Sequence, residues 1–456
     1  MAIDEDGFIH TTSLSSSERK EWVAKLNSLG SNVLRSDGKF GDFDLGRMHG
    51  RWYTTNFSSI TVDNEGYITV LDKTWNRLFQ YTQEGDLLYA FGGKGEQEGT
   101  FGEPANVRAI GDRLLVCDTL YGTVTVWMPS EFGAIVRKAD GLYQAGLFAE
   151  SESSWKAVLC LCQNYEYAYN GLGKAAYIQK DYKQALRYFR LGYDREDYSL
   201  AFARYRAAAL RQAFLSAAVV LLLGLIGIAL AIRLYRRYRQ PIPEGPPKLP
   251  YLRYLRYILF HPIDGFQELR YNHLGSARLA SGIMLLFFFV SCLDFTERGF
   301  IFNTNEPGSF NVWVILATTV VTAFAFCLVN WLLSTFFDGK GNLKDVWMVV
   351  GYSLVPTVLC QLLQLILSQF LTLEEGAFLG YIAVVGVLWS GIVFVFGLQE
   401  VHQYSFGRNI ASLLVSVIGI LILLFLLFLM GNLFIQVSDF VKTVMEELLY
   451  RARAGF

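Results

Sequence analysis

Charged residues are scarce in this 456-residue chain. Asp, Glu, Lys and Arg make up 18% of it, hydrophobic residues make up 52%, and the mean hydropathy is +0.29. Globular domains carry about 25% charged residues, so the deficit indicates that part of the chain is not surrounded by water. The formal net charge is −1, which excludes a global attraction to nucleic acid or to acidic substrates.

Catalytic and metal-binding motifs are also missing. The five histidines form no His-Glu-x-x-His or other metal-ligand pair, and no P-loop, Gly-x-Ser-x-Gly elbow or kinase signature is present. The six cysteines have neither a zinc-ligand spacing nor a disulfide framework, and we expect all six to be buried as small apolar side chains. His402 and Ser405 could form a hydrolytic pair, although a histidine near a helix end more commonly makes local hydrogen bonds. The sequence predicts no enzyme, no cofactor and no metal.

Long apolar runs occupy the C-terminal half. A helix needs about 20 apolar residues to cross the hydrocarbon core, and six runs approach or exceed that length. They lie at residues 213–232, 278–297, 312–337, 346–371, 377–398 and 410–435. Backbone in lipid must satisfy its own hydrogen bonds, so we predict an all-α polytopic bundle of about six membrane-spanning helices.

The polar residues within these runs are few and uncharged. Asparagine and glutamine side chains there are expected to form hydrogen bonds between helices; they are Asn330, Gln361, Gln364 and Gln369. Pro356 is expected to kink its helix, and Gly351 and Gly391 to permit close packing. No Asp, Glu, Lys or Arg lies near a helix centre, which gives little support to ion-coupled transport.

Basic residues predict the orientation in the membrane. Arginine and lysine favour cytoplasmic loops, and they concentrate after the first run and in two later loops. We therefore predict that residues 235–276, 338–345 and 399–409 are cytoplasmic and that residues 1–210 are extracytoplasmic. The predicted location is a membrane that the chain crosses several times, with membrane lipid as a partner.

The segment Tyr251–Phe260 interleaves tyrosines with arginines after a proline-rich linker. Tyrosine favours the headgroup region and arginine favours anionic lipid, so a helix lying in the cytoplasmic interface is predicted; the alternative is a helix that packs on the bundle. The residues assigned to the interface are Arg236, Arg237, Arg239, Arg253, Arg256, Tyr254 and Tyr257. The tail from Val437 to Tyr450 is amphipathic as well.

Two short internal repeats occur near the N-terminus. Ile3-Asp-Glu-Asp-Gly-Phe-Ile9 is echoed by Val62-Asp-Asn-Glu-Gly-Tyr-Ile68, and a weaker third copy starts at Ile110. Short alternating strands separated by Gly, Asp and Asn turns predict propeller blades, and the pattern resembles the NHL-repeat family of β-propellers. A helix is also predicted at residues 17–29, between the first two copies. Because a propeller needs at least four blades, we expect further blades and a signal peptide upstream of Met1.

The next segment changes to a helical period. Residues 168–189 combine small residues with Tyr182 and Phe189 at the spacing of two packed helices, and they resemble a tetratricopeptide repeat. One or two such repeats are too few for a long solenoid, so a short helical neck is expected.

From His261 onward the chain resembles the YIP family (Ypt/Rab-interacting-protein membrane domain), in its bacterial form. The resemblance rests on six short motifs: His261-Pro-Ile-Asp-Gly-Phe266, Asn330-Trp331, Phe337-Asp-Gly-Lys-Gly341, Gly351-Tyr-Ser-Leu-Val-Pro356, Leu373-Glu-Glu-Gly-Ala-Phe378 and His402-Gln-Tyr-Ser-Phe-Gly407. The bacterial form of the family implies a bacterial plasma membrane. The resemblance implies a five-helix domain, while the Asp-Leu-Tyr-Gly-Pro signature of eukaryotic members is absent, so a Rab-type partner is not carried over. The residues that it marks as structural or as partner contacts are Pro262, Asp264, Gly265, Asn330, Asp338, Gly339, Tyr352, Pro356, Glu375, Gly376, His402, Tyr404, Ser405, Phe406 and Gly407.

The predicted protein is therefore multidomain. Its parts are a partial propeller (1–135), a tetratricopeptide-like helical region (139–210), an anchor helix (213–234), a basic linker with the interfacial helix (235–276), a YIP-like five-helix domain (277–435) and an amphipathic tail (436–456). The preferred function is a non-catalytic scaffold, and the resemblance suggests association with a carbohydrate importer of the ABC class, through its permease and substrate-binding protein. A glycan is a further partner, since Trp52, Tyr53, Trp75 and Trp127 could stack on sugars if they are not core residues. The alternatives are an autonomous transporter or channel and a membrane-organising protein.

Overall fold

The computed structural model describes residues 1–13, 23–34, 40–41, 47–48, 51–52, 55–238, 251–272, 274–306 and 308–454. These residues divide into two compact units, Met1–Asp197 (unit 1) and Tyr198–Phe456 (unit 2).

Unit 1 begins with short antiparallel strands. They are β1 (Ala2–Ile3), β2 (Ile9–Thr12), β3 (Val23–Leu26), β4 (Arg47–Met48), β5 (Arg51–Trp52), β6 (Phe57–Val62), β7 (Ile68–Asp72), β8 (Arg77–Tyr81), β9 (Leu87–Gly92), β10 (Pro104–Ile110), β11 (Arg113–Asp118) and β12 (Thr123–Trp127). In chain order, β1–β3 form one sheet, β4–β5 a ribbon, β6–β9 a four-stranded sheet and β10–β12 a three-stranded sheet.

The repeat seen in the sequence is also a repeat in structure. The Asp4 carboxylate accepts a hydrogen bond from the Phe8 N–H at 2.8 Å, and the Asp63 carboxylate accepts the equivalent bond from Tyr67 at 3.0 Å. Each turn contains a glycine with a positive φ, which is 82° for Gly7 and 83° for Gly66. A residue with a Cβ atom would be strained in this conformation. The two copies are the same strand–turn–strand unit.

The four-stranded sheet is buried on both faces. Ile68 and Val70 of β7 pack in the cluster that contains Val23, whereas Leu71, from the opposite face, packs in the cluster that contains Val107. Stacked antiparallel sheets of this kind are consistent with blades, but the described residues do not form a closed ring of sheets. The propeller therefore stays a prediction.

Four helices complete unit 1. They are α1 (Glu131–Gln144), α2 (Phe148–Leu161), α3 (Glu166–Ile178) and α4 (Tyr182–Leu191), each packed on the next in sequence. A Cβ on Gly171 would lie 2.6 Å from the Trp155 Cδ1 atom, and one on Gly173 would lie 2.6 Å from the Phe189 ring. Small residues thus allow the close helix packing that we predicted, and the helical region begins at Glu131 rather than at residue 139.

Two local expectations for unit 1 were wrong. Residues 23–26 of the predicted 17–29 helix form β3, because their side chains pair and pack with the first sheet; residues 17–22 lie outside the described residues. Cys117 and Cys160 are exposed rather than buried, because their positions on a strand and a helix face away from the core. Of the other four cysteines, Cys327 is buried as predicted, and Cys162, Cys292 and Cys360 are partly exposed.

Unit 2 is helical. Its helices are α5 (Arg195–Tyr238), which starts at the end of unit 1, α6 (Tyr251–Phe260), α7 (Pro262–Tyr271), α8 (Ala277–Glu297), α9 (Val312–Leu316), α10 (Thr322–Ser334), α11 (Leu343–Ser353), α12 (Val355–Leu367), α13 (Ala377–His402) and α14 (Phe406–Ala454). A π-helical turn, Ala317–Val321, joins α9 to α10, and 3₁₀ turns lie at Thr335–Phe337 and Glu374–Gly376.

Five helical stretches of the described chain are long and apolar enough to cross a membrane. They are Ala277–Glu297, Val312–Phe337, Leu343–Leu367, Glu374–His402 and Phe406–Glu446. They correspond to the last five predicted runs. The first predicted run lies within α5, where a shorter apolar stretch is found at Leu222–Ala231, so the sixth crossing stays a prediction.

The bundle core explains several of the small and polar residues in the spans. A Cβ on Gly351 would lie 2.8 Å from the Ala280 Cα atom, so α11 and α8 approach closely as predicted, whereas Gly391 has open space around it and does not support close packing. The third span is interrupted at Leu354, two residues before Pro356, because proline cannot donate the helical hydrogen bond.

Candidate functional site

Two helices of the bundle end in the same way and bring their following loops together. Asp338, after α10, and Gln403, after α13, have φ values of 55° and 60°, a left-handed conformation that stops a helix. The Lys340 N–H donates to the His402 carbonyl oxygen at 3.3 Å. The Asp-Gly-Lys-Gly loop therefore lies against the end of α13.

His402 is the centre of a buried polar network, the histidine network. The Gly341 backbone N–H donates to His402 Nδ1 at 3.3 Å, so Nδ1 is an acceptor and the ring proton is on Nε2. Nε2 donates to Asn330 Oδ1 at 3.0 Å, and Asn330 Nδ2 donates to Ser416 Oγ at 3.0 Å. His402 and Asn330 are each 1% exposed, and the network joins α10, α13 and α14 with a neutral histidine.

The two glycines of the loop are required by this contact. A Cβ on Gly339 would lie 2.3 Å from the Tyr404 hydroxyl oxygen and 2.8 Å from His402 Nδ1. A Cβ on Gly341 would lie 2.7 Å from Val401 Cγ1. The sequence Asp-Gly-Lys-Gly thus has glycine at the positions where the backbone touches the histidine.

Tyr404 closes the network from the other side. Its ring stacks on His402 with centroids 5.0 Å apart and an interplanar angle of 14°. Burial raises the pKa of its phenol above the ordinary value, so Tyr404 stays neutral. The network therefore carries no formal charge.

The helices α6 and α7 are attached to the same end of the bundle. Arg270 of α7 donates to Asp345 at 3.1 Å, and Asp345 also caps α11 by accepting from the Asn342 N–H at 3.2 Å. Gln267 donates to Glu400 at 3.1 Å. These contacts join the three segments that we predicted to be cytoplasmic, 235–276, 338–345 and 399–409. Their described residues therefore lie at the same end of unit 2.

A second polar cluster, the Arg206 clamp, lies at the other end of the spans. Arg206 of α5 donates through both terminal nitrogens to the two Glu375 carboxylate oxygens at 2.7 Å each, and also to the Phe370 carbonyl oxygen at 2.7 Å. The hydrogen bonds to Glu375 raise the pKa of Arg206. Ser199 Oγ accepts from the Leu373 N–H at 2.8 Å, so the start of α5 is fixed to the loop before α13.

The other residues that the family resemblance marks lie in helices α7, α11 and α12, in the loop before α13 and around the start of α14. Tyr254 donates to the Gly265 carbonyl oxygen at 2.7 Å, and Tyr352 donates to the Ser276 carbonyl oxygen at 3.0 Å. Pro262 begins α7, Asp264 lies exposed in its first turn, and a Cβ on Gly376 would lie 2.7 Å from the Phe302 ring. The last three members are exposed; they are Ser405, Phe406 and Gly407.

The residues assigned to the membrane interface do not all lie on a surface. Tyr254 is 2% exposed and lies inside unit 2, because α6 packs on the bundle. Arg256 and Tyr257 are exposed. Arg236, Arg237 and Arg253 are in helical backbone, and Arg239 lies outside the described residues. The inner face of α6 thus packs on the bundle, as the alternative prediction had it. The prediction of a helix in the membrane interface now concerns only the outer face of α6.

Sequence reasoning missed Arg206, the Arg270–Asp345 pair and Ser416. Arg206 lies about two turns before an apolar run, and Ser416 is a hydroxyl within one. A polar side chain at such a position indicates a polar contact in a membrane protein. The sequence does not show which residue is the partner.

His402 and Ser405 do not approach each other in the way that a hydrolytic pair requires. Both ring nitrogens of His402 are engaged with Gly341 and Asn330, and Ser405 is exposed, so the hydrolytic pair does not form. No group of three His, Cys, Asp or Glu residues that could hold a metal ion occurs among the described residues. What the arrangement can do is fix helices and loops relative to one another.

Residues 256–430 match the Yip1 domain family model. The matched range contains every signature residue from Pro262 to Gly407 and the whole histidine network. It covers less than half of the chain. A search of curated proteins finds no match. The chain thus contains a membrane-embedded region similar to the Yip1 domain, with apolar helices long enough to cross a bilayer.

Proposed function

We propose that this protein is a non-catalytic membrane scaffold, in which the Yip1-like bundle is a rigid membrane body and the N-terminal unit is the water-exposed recognition part. The observation that carries the proposal is the closed histidine network. A transporter needs a hydrated route past residues such as Asn330, but the Asn330 amide is used on both sides within the protein. In the described part of unit 2, no Asp, Glu, Lys or Arg is fully buried, and buried charges are what mark ion pathways.

The Arg206 clamp supports a sixth crossing. From Arg206 to Arg233 an α-helix spans roughly 40 Å, more than the ~30 Å hydrocarbon core. A helix clamped to Glu375 at one end of the bundle therefore has the length to reach the opposite end, where the described linker residues lie. This arrangement supports the predicted orientation, with residues 1–210 extracytoplasmic and the basic segments cytoplasmic.

The recognition part is proposed to act through its stacked sheets and its tetratricopeptide-like helices. The partner that the family resemblance suggests is the permease and substrate-binding protein of a carbohydrate importer of the ABC class, with a glycan as a further ligand. Trp75 is half-buried and Trp127 lines a cavity, while the Trp52 side chain and Tyr53 lie outside the described residues.

A membrane-organising role is the second candidate, and the outer face of α6 and α7 favours it. Tyr257, Phe260 and Ile263 are 36%, 62% and 43% exposed, next to the exposed Arg256. Such an arrangement of aromatic, apolar and basic side chains suits the headgroup region of an anionic leaflet.

The scaffold role is tested by purification of the full-length protein from its host membrane in mild detergent, followed by mass spectrometry and by flux assays in proteoliposomes. The proposal predicts recovery of other membrane proteins in near-equal amounts and no solute flux through the protein alone. Recovery as a homo-oligomer that carries out saturable flux would overturn it in favour of an autonomous transporter.

A further inference from the structure

Unit 2 contains a cavity of about 340 Å³ at the end that carries the Arg206 clamp. Its walls come from the last two turns of α8, from the loop that follows, and from α9 with its π-helical turn. The Glu297 carbonyl oxygen at the end of α8 accepts from Gln369, the residue before Phe370, whose carbonyl oxygen binds Arg206. The volume is in the range of small-molecule sites.

The cavity lies at the depth of lipid headgroups. Asp294 is three residues before the end of α8, and Thr318 is six residues after the start of the next span, so both lie within about 10 Å of a helix end. Phe310 and Trp313, on either side of the start of that span, are 43% and 74% exposed. Exposed tryptophan is typical of the level at which a membrane meets water. A lipid that enters the cavity from the membrane therefore presents its headgroup to these residues.

Arg298 provides hydrogen-bond donors to the cavity. Its Nε–H donates to Asp294 Oδ1 at 3.0 Å, and this single contact leaves both terminal nitrogens of the guanidinium without a partner in the described part of the chain. The side chain is 33% exposed, and neither terminal nitrogen is enclosed. The two terminal nitrogens of an arginine form a fork that matches two oxygens of a phosphate.

Asp294 and the π-helical turn provide acceptors. The Asp294 side chain is 24% exposed, and its Oδ2 atom is accessible and receives no hydrogen bond from the described residues. Thr318 lines the cavity from the π-helical turn, and its hydroxyl donates to the Val314 carbonyl oxygen at 3.0 Å. Because the hydroxyl hydrogen is used within the helix, the Thr318 oxygen is left as an acceptor. π-helical turns of this kind are frequent at functional sites.

Donors and acceptors of opposite charge indicate a zwitterion. Among the described residues that line the cavity, Asp294 and Arg298 alone are charged, so an anionic headgroup would be repelled by the Asp294 carboxylate. A phosphate joined to a primary ammonium offers oxygens to Arg298 and N–H donors to Asp294 and Thr318. A choline headgroup carries the same charges but has no N–H to donate.

We propose that this cavity binds the headgroup of an ethanolamine phospholipid from the surrounding leaflet. The phosphate accepts from the terminal nitrogens of Arg298, and the ammonium donates to Asp294 Oδ2 and to the Thr318 hydroxyl oxygen. The acyl chains lie along apolar side chains deeper in α8, where Phe289 and Leu293 are 59% and 45% exposed. The assignment does not depend on the scaffold role of the membrane bundle.

The test is native mass spectrometry of the full-length protein in mild detergent. The protein is titrated with phosphatidylethanolamine, phosphatidylcholine and phosphatidylglycerol that carry identical acyl chains. We expect the ethanolamine lipid to bind saturably and about tenfold more tightly than either of the others. Equal binding of the three lipids, or no saturable binding, would overturn the proposal. Displacement of the lipid by an equal concentration of free phosphoethanolamine would also overturn it, because the ligand would then be the free molecule.

Variants assign the binding to this cavity. Asp294→Asn removes the negative charge and leaves that of Arg298, so it should weaken the ethanolamine lipid about fivefold or more and shift the preference towards phosphatidylglycerol. Thr318→Val removes one acceptor and should weaken the ethanolamine lipid while leaving phosphatidylglycerol unchanged. Damage to the fold alone would weaken all lipids alike.

Glu297→Gln is the matched control. Glu297 is an exposed carboxylate in the same helix and does not line the cavity, so this variant should bind lipids like the wild type. An unchanged lipid preference in both Asp294→Asn and Thr318→Val, each with a wild-type melting temperature, would contradict the assignment.

Discussion

At the scale of single residues, Gly339 holds the Asp-Gly-Lys-Gly loop against the histidine network. A Cβ at this position would lie 2.3 Å from the Tyr404 hydroxyl oxygen, so Gly339→Ala must displace the loop or the ring. We expect a loss of about 1–3 kcal/mol, as for other overpacked sites, measured as a lower melting temperature of the full-length protein in detergent.

Gly407→Ala is the matched control for that substitution. Gly407 belongs to the same set of signature residues but has no atom within 4 Å of its Cβ position, and it lies in α14. Alanine there should leave the melting temperature unchanged or raise it slightly. Equal effects of the two substitutions would show that the loop is not packed on His402.

Asp118 makes the stability of unit 1 depend on pH. Its burial opposes ionisation, but hydrogen bonds from four backbone N–H groups outweigh that and lower its pKa. A carboxyl whose pKa is lower when folded stabilises the protein above its unfolded pKa of about 3.9 and loses that effect as the pH falls through the folded value. Asp118→Asn should therefore lower the melting temperature at neutral pH, and its difference from wild type should shrink towards about pH 3.

The exposed Asp112 provides the comparison for Asp118. No backbone N–H among the described residues donates to its carboxylate, so Asp112→Asn should match the wild type at each pH measured by thermal unfolding. A difference for Asp118→Asn that stays constant across the pH range would mean that the ionised carboxylate is not what the backbone N–H groups bind.

The sequence predicted which residues belong to the buried polar cluster better than it predicted their partners. The sequence motifs identified His402, Asn330 and Gly339 as members of one set, and the structure brings them into contact. Ser416 could not be predicted, because a serine within an apolar run has the same pattern whether it faces lipid or Asn330. Asn330 was expected to form a hydrogen bond between helices and does, as does Gln364. Gln369 lies in the turn after α12 and donates to the Glu297 carbonyl oxygen, and Gln361 Oε1 has no donor in the described chain.

At the scale of elements, helices with a strong apolar pattern were predictable and short strands were less so. The segment Tyr251–Phe260 is α6 with the predicted bounds, because its aromatic and basic residues repeat with a helical period. Residues 23–26 were expected in a helix and form β3 instead, because pairing with β2 overrides a weak local preference. Whether the stacked sheets close into a propeller depends on contacts distant in sequence, which alternation along a strand does not specify.

The Arg206 clamp is the element-scale contact that fixes α5. Arg206→Gln should remove both hydrogen bonds to Glu375 and expose residues 198–210 to faster amide hydrogen exchange, measured by mass spectrometry. The charge swap Arg206→Glu with Glu375→Arg should restore part of the protection, since the pair is bidentate. Arg298→Gln is the control, because its partner Asp294 lies four residues away in the same helical segment at 3.0 Å. Equal protection in Arg206→Gln and wild type would rule out the clamp.

At the scale of the whole molecule, unit 2 has a polar cluster at each end of its apolar helices. One end combines the histidine network with the described basic-linker residues, and the other carries the Arg206 clamp. The apolar helices between them match the length of a bilayer, and no fully buried charge interrupts them in the described chain. Composition and apolar runs made this organisation predictable, while the partner of the N-terminal unit depends on surface chemistry that no run or repeat encodes.

The most direct test is the sidedness of four positions in intact cells of an expression host. Single cysteines replace Glu98, Glu374, Lys340 and Arg408 in a background without the six native cysteines, and a membrane-impermeant thiol reagent is added before and after permeabilisation. The account predicts labelling at 98 and 374 in intact cells, and at 340 and 408 only after permeabilisation. Labelling of 98 and 340 from the same side would contradict it.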